Sequence, residues 1–470
     1  MATSLLAATT AAAAEQTGRD RPMTWAQCSG TGLPADLQCA ELDVPVDWSR
    51  PHHRQITLDV ARLPSTGTDR LGTVILVPGG PGGSGIDDLE QSASAFAALR
   101  QRFDVVSLAP RNRSDRAEFP THCGRSGPWV TRPKDLAGYR ALARTNQEAS
   151  LKCRQADPEL FDHLDSRSVA RDLDAIRAAM GDTEVNLLAN SYGGVPAVAY
   201  AREFPSRVRT MFFDGTGDPT ASDAETDAID YPNRERLFGR FIEWCDIDPA
   251  CALHGEDVSA VWRGLLATAD RTPVPATGEP PEVAYTGFDF VITAGNMMKN
   301  SARWSALAQG IDLARDGDSA MFVGWVRQSL GGNPKFPALP LARAVECADD
   351  AGYPSYAAYT QARHRGERLS PHLPGLWQRM PLMCAGWPHP VANPRDPLPA
   401  GKLPPLMIAD QALDYPATAG LLSRVPGSGG VRYDGVGHGL YLLGQPCVIA
   451  HANRYFIDRT PPATTTICRP

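Results

Sequence analysis

Apolar residues change their spacing several times along the chain, and each change predicts a different element. At Ile56, Leu58 and Val60 they alternate with polar neighbours, the period of a half-buried strand. Residues 73–77 (TVILV) are a continuous apolar run, which is how a strand covered on both faces reads, and residues 103–108 (FDVVSL) read as the next buried strand. From Ser168 the spacing lengthens: Val169, Leu173, Ile176 and Met180 mark one face of a helix over 168–180, with Arg171, Asp172, Asp174 and Arg177 turned outward. Residues 185–189 and 208–213 read as two further strands, with an Ala-rich helical stretch between them. Strands and helices alternate, so the expected fold class is α/β, built on a mostly parallel, doubly wound sheet. Such sheets meet their ligands at the carboxyl ends of the strands.

Past Pro219 the pattern changes. Strand signals thin out and helical ones take over at 233–244, 258–269, 304–314 and 319–330, with prolines breaking the segment near 273–281 and 334–340. Strand signals resume at 406–409 and 431–433. Four parts are therefore expected: a signal-like or disordered segment over 1–24, a core in two pieces over 25–218 and 401–470, and a mainly helical lid over 219–400. Residues 25–51 read as an irregular opening segment.

Composition narrows the chemistry. A length of 470 residues with 43% hydrophobic and 21% charged positions allows a large core. A net charge of −7 gives no basic surface for nucleic acid, and no internal run is apolar for long enough to span a bilayer. Residues 1–14 (MATSLLAATTAAAA) have the small, apolar body of a secretory signal without its positively charged start. They read as a signal peptide with a trimmed or misassigned start, the alternative being a disordered tail. Ten cysteines fall into neighbours along the sequence: Cys28 with Cys39, Cys123 with Cys153, Cys245 with Cys251, Cys347 with Cys384, and Cys447 with Cys468. Ten cysteines allow on the order of a thousand connectivities, so this pairing is a proposal, with buried free thiols as its alternative. No C-x-x-C occurs, and five disulfides point to an oxidising, extracytoplasmic setting.

Three stretches carry the candidate chemistry. Strand 185–189 tightens through Asn190-Ser191-Tyr192-Gly193-Gly194 into the Ala-rich helix. A serine at so sharp a strand-to-helix turn projects its hydroxyl, as at a nucleophile elbow, although Ala189 stands where a glycine is usual; a plain Ser-Gly turn is the alternative. After strand 73–77 comes Pro78-Gly79-Gly80-Pro81-Gly82-Gly83-Ser84-Gly85, suited to presenting backbone N–H groups to a developing oxyanion. The rival reading is a phosphate loop, since Gly80, Gly82 and Gly85 formally satisfy G-x-G-x-x-G. The lysine of a P-loop is missing, however, and the next strand ends at Leu108-Ala109 without the acid that would hold a ribose. Of ten histidines, His438 lies among small residues in GVGHG just past a strand. The carboxylate that orients it should follow the preceding strand. Asp410 and Asp414 both qualify, with Asp414 preferred for reach and Asp410 placed to cap the turn.

These motifs resemble those of the secreted tripeptidyl aminopeptidase branch of the α/β-hydrolase, proline-iminopeptidase-like family. The resemblance runs from Trp25 to Cys468 through VPVDW, VPGGPGGSG, ARDLDAIRAAMG, NSYGG, FFDGTGDP, FIEWCDIDPACAL, AVECADD, MCAGWP, LDYPATA and GHG. It implies an α/β-hydrolase fold with a helical lid and a triad of Ser191, Asp414 and His438, with oxyanion donors at Gly80 and Tyr192. It also implies an exported serine peptidase that needs no metal or organic cofactor and takes a peptide or small acyl substrate. An aminopeptidase should capture the substrate's α-ammonium with acids of the lid. Glu346, Asp349 and Asp350 are the candidates, unless they form only a solvated turn. The chain departs from the family at Ala189, at Ala109-Pro110-Arg111-Asn112 in place of D-P-R-G, and at Asp414-Tyr415-Pro416-Ala417 in place of D-x-x-T-P. No triad member is lost, but the departures leave the substrate open. The rival readings are an esterase, lactonase or amidase of small metabolites, and a non-catalytic binding protein of the same fold.

Overall fold

The computed structural model describes residues 23–113, 118–120, 123, 132–278, 283–329, 340–350 and 352–470. The signal-like segment up to residue 22, Leu330 and most of the proline-rich stretch at 334–340 lie outside these residues. Among the described residues twelve strands follow in chain order: β1 (Ala26–Gln27), β2 (Gln38–Pro45), β3 (Gln55–Leu63), β4 (Gly72–Val77), β5 (Phe103–Leu108), β6 (Val185–Asn190), β7 (Val208–Asp214), β8 (Val274–Pro275), β9 (Ala284–Tyr285), β10 (Met407–Gln411), β11 (Gly429–Tyr433) and β12 (Thr466–Cys468). Ten of them form one sheet in the order β1-β2-β3-β5-β4-β6-β7-β10-β11-β12, and β8 with β9 makes a separate small pair. The sheet is antiparallel from β1 to β5 and parallel from β5 to β12. Because β5, β4, β6, β7 and β10 run the same way, their carboxyl ends, and the loops that follow, gather at one rim.

The continuous apolar runs have a direct cause. All six residues of β4 are buried; Ile75 and Val77 enter the core on one face of the sheet, while Val74 and Leu76 enter the core on the other. β5 and β6 divide their apolar side chains in the same way, and their polar residues Asp104, Ser107 and Asn186 are buried with them. The opening segment differs from expectation. Eight of its residues form β2, paired antiparallel with β3 from Gln38↔Arg62 to Pro45↔Gln55. Glu41 on its exposed side, Asp43 and the closing Pro45 hide the strand signal from a reading by hydropathy.

The helix expected over 168–180 spans Ser166–Ala179, its start capped by the Asp165 carboxylate accepting from the Ser168 N–H. Its acidic residues do not face solvent. Asp172 is fully buried and accepts two hydrogen bonds from Arg111, both at 2.7 Å, and one from the Trp48 indole at 3.0 Å. Asp174 is 2% exposed and pairs with Arg177 and Arg207. A helix covered on two sides needs partners for its polar residues, and these arginines are the partners. Arg111 also donates to the carbonyls of Pro45 and Val46, so it ties the end of β2 to this helix.

Between β7 and β10 the described residues are mainly helical: Asp223–Ile247, Val258–Ala269, Gly287–Met297, Trp304–Arg315, Phe322–Ser329, Pro340–Asp349, Tyr356–Leu369 and Arg379–Met383. Most of them bury a core of their own around Phe238, Phe241, Trp262, Phe288, Phe290 and Phe322, separate from the two cores of the sheet. Tyr139, on the helix Leu136–Arg154 that follows β5, joins this core from outside that stretch. All ten cysteines are paired, each with its neighbour in sequence: 28–39, 123–153, 245–251, 347–384 and 447–468. Among the described residues no helix is long and apolar enough to cross a membrane.

Candidate active site

Ser191 stands one residue past the end of β6 with a φ of +54°, a conformation that costs a side-chain-bearing residue free energy. Packing on both sides of the turn holds it there. A Cβ on Gly193 would lie 2.2 Å from the Val77 carbonyl oxygen, and one on Gly194 would lie 2.7 Å from Thr216 Cβ. The turn therefore needs glycine at both positions so that the helix Gly194–Glu203 can start directly against β4 and the loop after β7. Ala189, where a glycine is usual, is 1% exposed within β6.

The glycine loop after β4 lies against the same serine. A Cβ on Gly79 would come within 2.9 Å of Ser191 Cβ, and Gly80 has a φ of +124° before a cis Gly80–Pro81 bond. Gly83 N–H bonds back to the Gly79 carbonyl at 3.2 Å, closing the loop, and Ser84 then caps the helix Gly85–Gln91. The backbone of the loop and that of Tyr192 thus flank Ser191.

His438, in the loop after β11, places Nε2 2.8 Å from Ser191 Oγ. An imidazole protonated on Nδ1 accepts the serine proton at that distance. Its other side rests on Gly215, where a Cβ would sit 3.0 Å from Nδ1. Gly439 packs against the Asn190 side chain, where a Cβ would sit 2.6 Å from Oδ1, so this loop has no room for a side chain there either. Desolvation, and then the Lys299 ammonium, lower the pKa of His438, while Asp414 opposes them. The shift favours the neutral ring, the form that can act as a base.

Asp414 follows β10 as the N-cap of the short helix Tyr415–Thr418. Its hydrogen-bond partners among the described residues are not His438. Oδ1 accepts from Arg234, and Oδ2 accepts from Gln411 Nε2 at 2.5 Å. Burial would raise its pKa, but Arg234, Lys299 and Gln411 outweigh that and hold the carboxyl below its usual range. Asp414 thus acts on His438 through its charge. Asp410 is 2% exposed, and its carboxylate accepts from Thr418 Oγ1 at 2.7 Å and from the Gln411 N–H.

The three acids Glu346, Asp349 and Asp350 sit together around the helix Pro340–Asp349, and they differ. Asp349 accepts from the Ser166 N–H and hydroxyl and from the Tyr192 hydroxyl, the last at 2.7 Å. Asp350 pairs with Arg395. Glu346 has a buried Oε2 without a hydrogen-bond partner. Burial and then the Asp349 charge push its carboxyl up to about 8, against the pull of Arg379 and Arg343. All three line a cavity of about 240 Å³ that begins at Tyr192, with Val195, Val198 and Met380 on its apolar side and Arg202, Asp218 and Arg395 among its charged residues. Three residues of the site carried no signal in the sequence: Arg234, Lys299 and Gln411 stand in no motif; the packing of the helical layer on the rim brings Arg234 and Lys299 to Asp414, while Gln411 reaches it from the end of β10.

Residues 72–282 match the alpha/beta hydrolase fold family, and residues 371–468 match the family described as TAP-like protein. The chain is 27% identical to serine protease Hip1 of Mycobacterium tuberculosis, over 95% of this chain and 91% of that protein. It is 29% identical to tripeptidyl aminopeptidase of Streptomyces lividans, over 99% of this chain and 89% of the other. It is also 28% identical to Carboxylesterase B of Mycobacterium tuberculosis, over 92% and 86%.

Proposed function

We propose, for a chain that belongs to the α/β-hydrolase fold family and closes in a TAP-like segment, that it is a serine peptidase releasing short pieces from the amino ends of peptides. The observation that carries this reading is the 2.8 Å approach of His438 Nε2 to a serine hydroxyl held at a positive φ. Ser191 Oγ attacks the scissile carbonyl while its proton passes to His438 Nε2. The resulting oxyanion is met by the N–H groups of Gly80 and Tyr192. As the tetrahedral adduct collapses, the C–N bond breaks and His438 returns the proton to the leaving amine. Water, deprotonated by the same ring, then releases the acyl group. Asp414 stabilises the imidazolium formed in each half-reaction.

The α-ammonium of the substrate is assigned to Glu346. Of the three lid acids it alone has a carboxylate oxygen with no partner, and an arriving ammonium would favour its ionised form. The helical segment 219–400 acts in this reading as the lid, and the five disulfides support an exported enzyme. A second reading, an esterase, is favoured by the likeness to Carboxylesterase B. Chromogenic di- and tripeptides with free and with blocked amino ends, run beside simple esters, decide between the two. Free-amine peptides should turn over fastest, and Glu346→Gln should raise KM for them alone. Faster turnover of blocked peptides or esters would sink the peptidase reading. Fluorophosphonate labelling that is lost in Ser191→Ala tests the nucleophile directly.

A further inference from the structure

In the proposed triad the acid is the member with least support from its own loop. Asp414 is bonded on one oxygen by a residue of the helical layer and on the other by a residue of the sheet. Arg234 lies on the helix Asp223–Ile247 and is 3% exposed. Its guanidinium sits 5.4 Å from the centre of the Trp377 ring, one of its nitrogens has no hydrogen-bond partner, and its ion pair is with Asp414. Burying a guanidinium is costly unless a carboxylate compensates it, and removing either partner leaves the other as an unpaired charge. The neighbouring Asn233 donates to the Leu413 carbonyl at 3.4 Å, so the helix touches the acid's loop at a second point.

Gln411 completes the arrangement from β10. Its amide nitrogen donates to Asp414 Oδ2, and its amide oxygen accepts from the N–H of Gly437, the residue before His438, at 3.2 Å. One 5%-exposed side chain therefore links the acid's loop to the base's loop. The other charges that act on Asp414 are Lys299, beyond the helix Gly287–Met297, Asp230, one turn before Arg234, Asp410 on β10, and His438 itself.

We propose that Arg234 and Gln411 are positioning residues, which hold the Asp414 carboxylate in place for His438 and so make docking of the helical layer a condition of catalysis. This rests on the reading of Asp414 as the triad acid. A side chain that acts only through Asp414 should lose its influence once Asp414 is neutralised. Steady-state kinetics on a free-amine tripeptide substrate, with Arg234→Met, Arg234→Lys, Gln411→Ala and Asp414→Asn alone and combined, test this.

Arg234→Met should lower kcat at least 10-fold with KM within about 2-fold, and Arg234→Lys should restore most of the loss. In the Asp414→Asn background neither Arg234→Met nor Gln411→Ala should cost more than about 2-fold further. The same factor in both backgrounds would overturn the proposal, as would a kcat for Arg234→Met within 2-fold of wild type. Should Arg234→Met fail to fold, Gln411→Ala carries the cycle by itself. If Asp414→Asn alone leaves kcat intact, the acid has been misassigned, a result distinct from a failed cycle.

Discussion

Ser191 and Asp414 stand at the same rim of the sheet, yet they are held by opposite means. The serine is fixed by backbone against backbone. Gly193 meets Val77, Gly79 meets Ser191 itself, and none of these contacts leaves room for one more methyl group. The acid is fixed by side chains from two layers, Arg234 from the helices and Gln411 from β10. Steric fixing is local and all-or-none, because close-packed atoms cannot give way gradually. Electrostatic fixing is long-range and graded, so it can be tuned by residues anywhere within reach.

Substitutions at the two regions should separate accordingly, and the largest effect belongs to the nucleophile. Ser191→Ala should lower kcat on the order of 10⁴-fold or more, without unfolding the chain, as measured by burst-free turnover and circular dichroism. Asp414→Asn should follow, at roughly 10² to 10⁴-fold in kcat. If it approached wild type, the contrast between the two regions would carry no functional weight.

Gly193→Ala tests the steric side through stability. A Cβ there would sit 2.2 Å from the Val77 carbonyl oxygen, so a loss of about 4 kcal/mol or more is expected from urea midpoints. A loss under about 1 kcal/mol would mean that the turn yields after all.

The smallest effect sharpens the electrostatic side. His438 has a lowered pKa, with Lys299 among the causes, and the ring is a base only when neutral, above that pKa. Removing the ammonium in Lys299→Gln raises the pKa, so the acidic limb of kcat/KM should move to higher pH. Because the depressed pKa favours the neutral ring, wild type should keep its activity to lower pH than an unperturbed histidine would allow. A limb that does not move in Lys299→Gln would remove the helical layer from the tuning of the base.

The two regions also differ in how far they could be read before any coordinates. The strands 73–77, 103–108, 185–189 and 208–213 were legible because burial on both faces leaves them mainly apolar, with a few buried polar residues such as Asp104, Asn186 and Thr210 among them. Strand β2 was not, because an antiparallel strand near the sheet's edge keeps a polar side and Pro45 closes it. Helical periodicity places Asp172 and Asp174 outward because it reports polarity alone. Their arginine partners at 111, 177 and 207 come partly from distant segments and make burial tolerable. Glu346 was one of three equivalent acids in sequence, and only the contacts of Asp349 with Tyr192 and of Asp350 with Arg395 set it apart.

By itself the sequence determined the alternation of strand and helix and the glycine-lined turn at Ser191, because each depends on residues close together in the chain. Only the tertiary structure decided that His438 reaches Ser191, and that Arg234 and Gln411, 180 and 3 residues from Asp414, take its two oxygens. The reason is physical: local conformation is fixed by short-range sterics, whereas a buried charge is satisfied by whatever the fold brings within hydrogen-bonding distance.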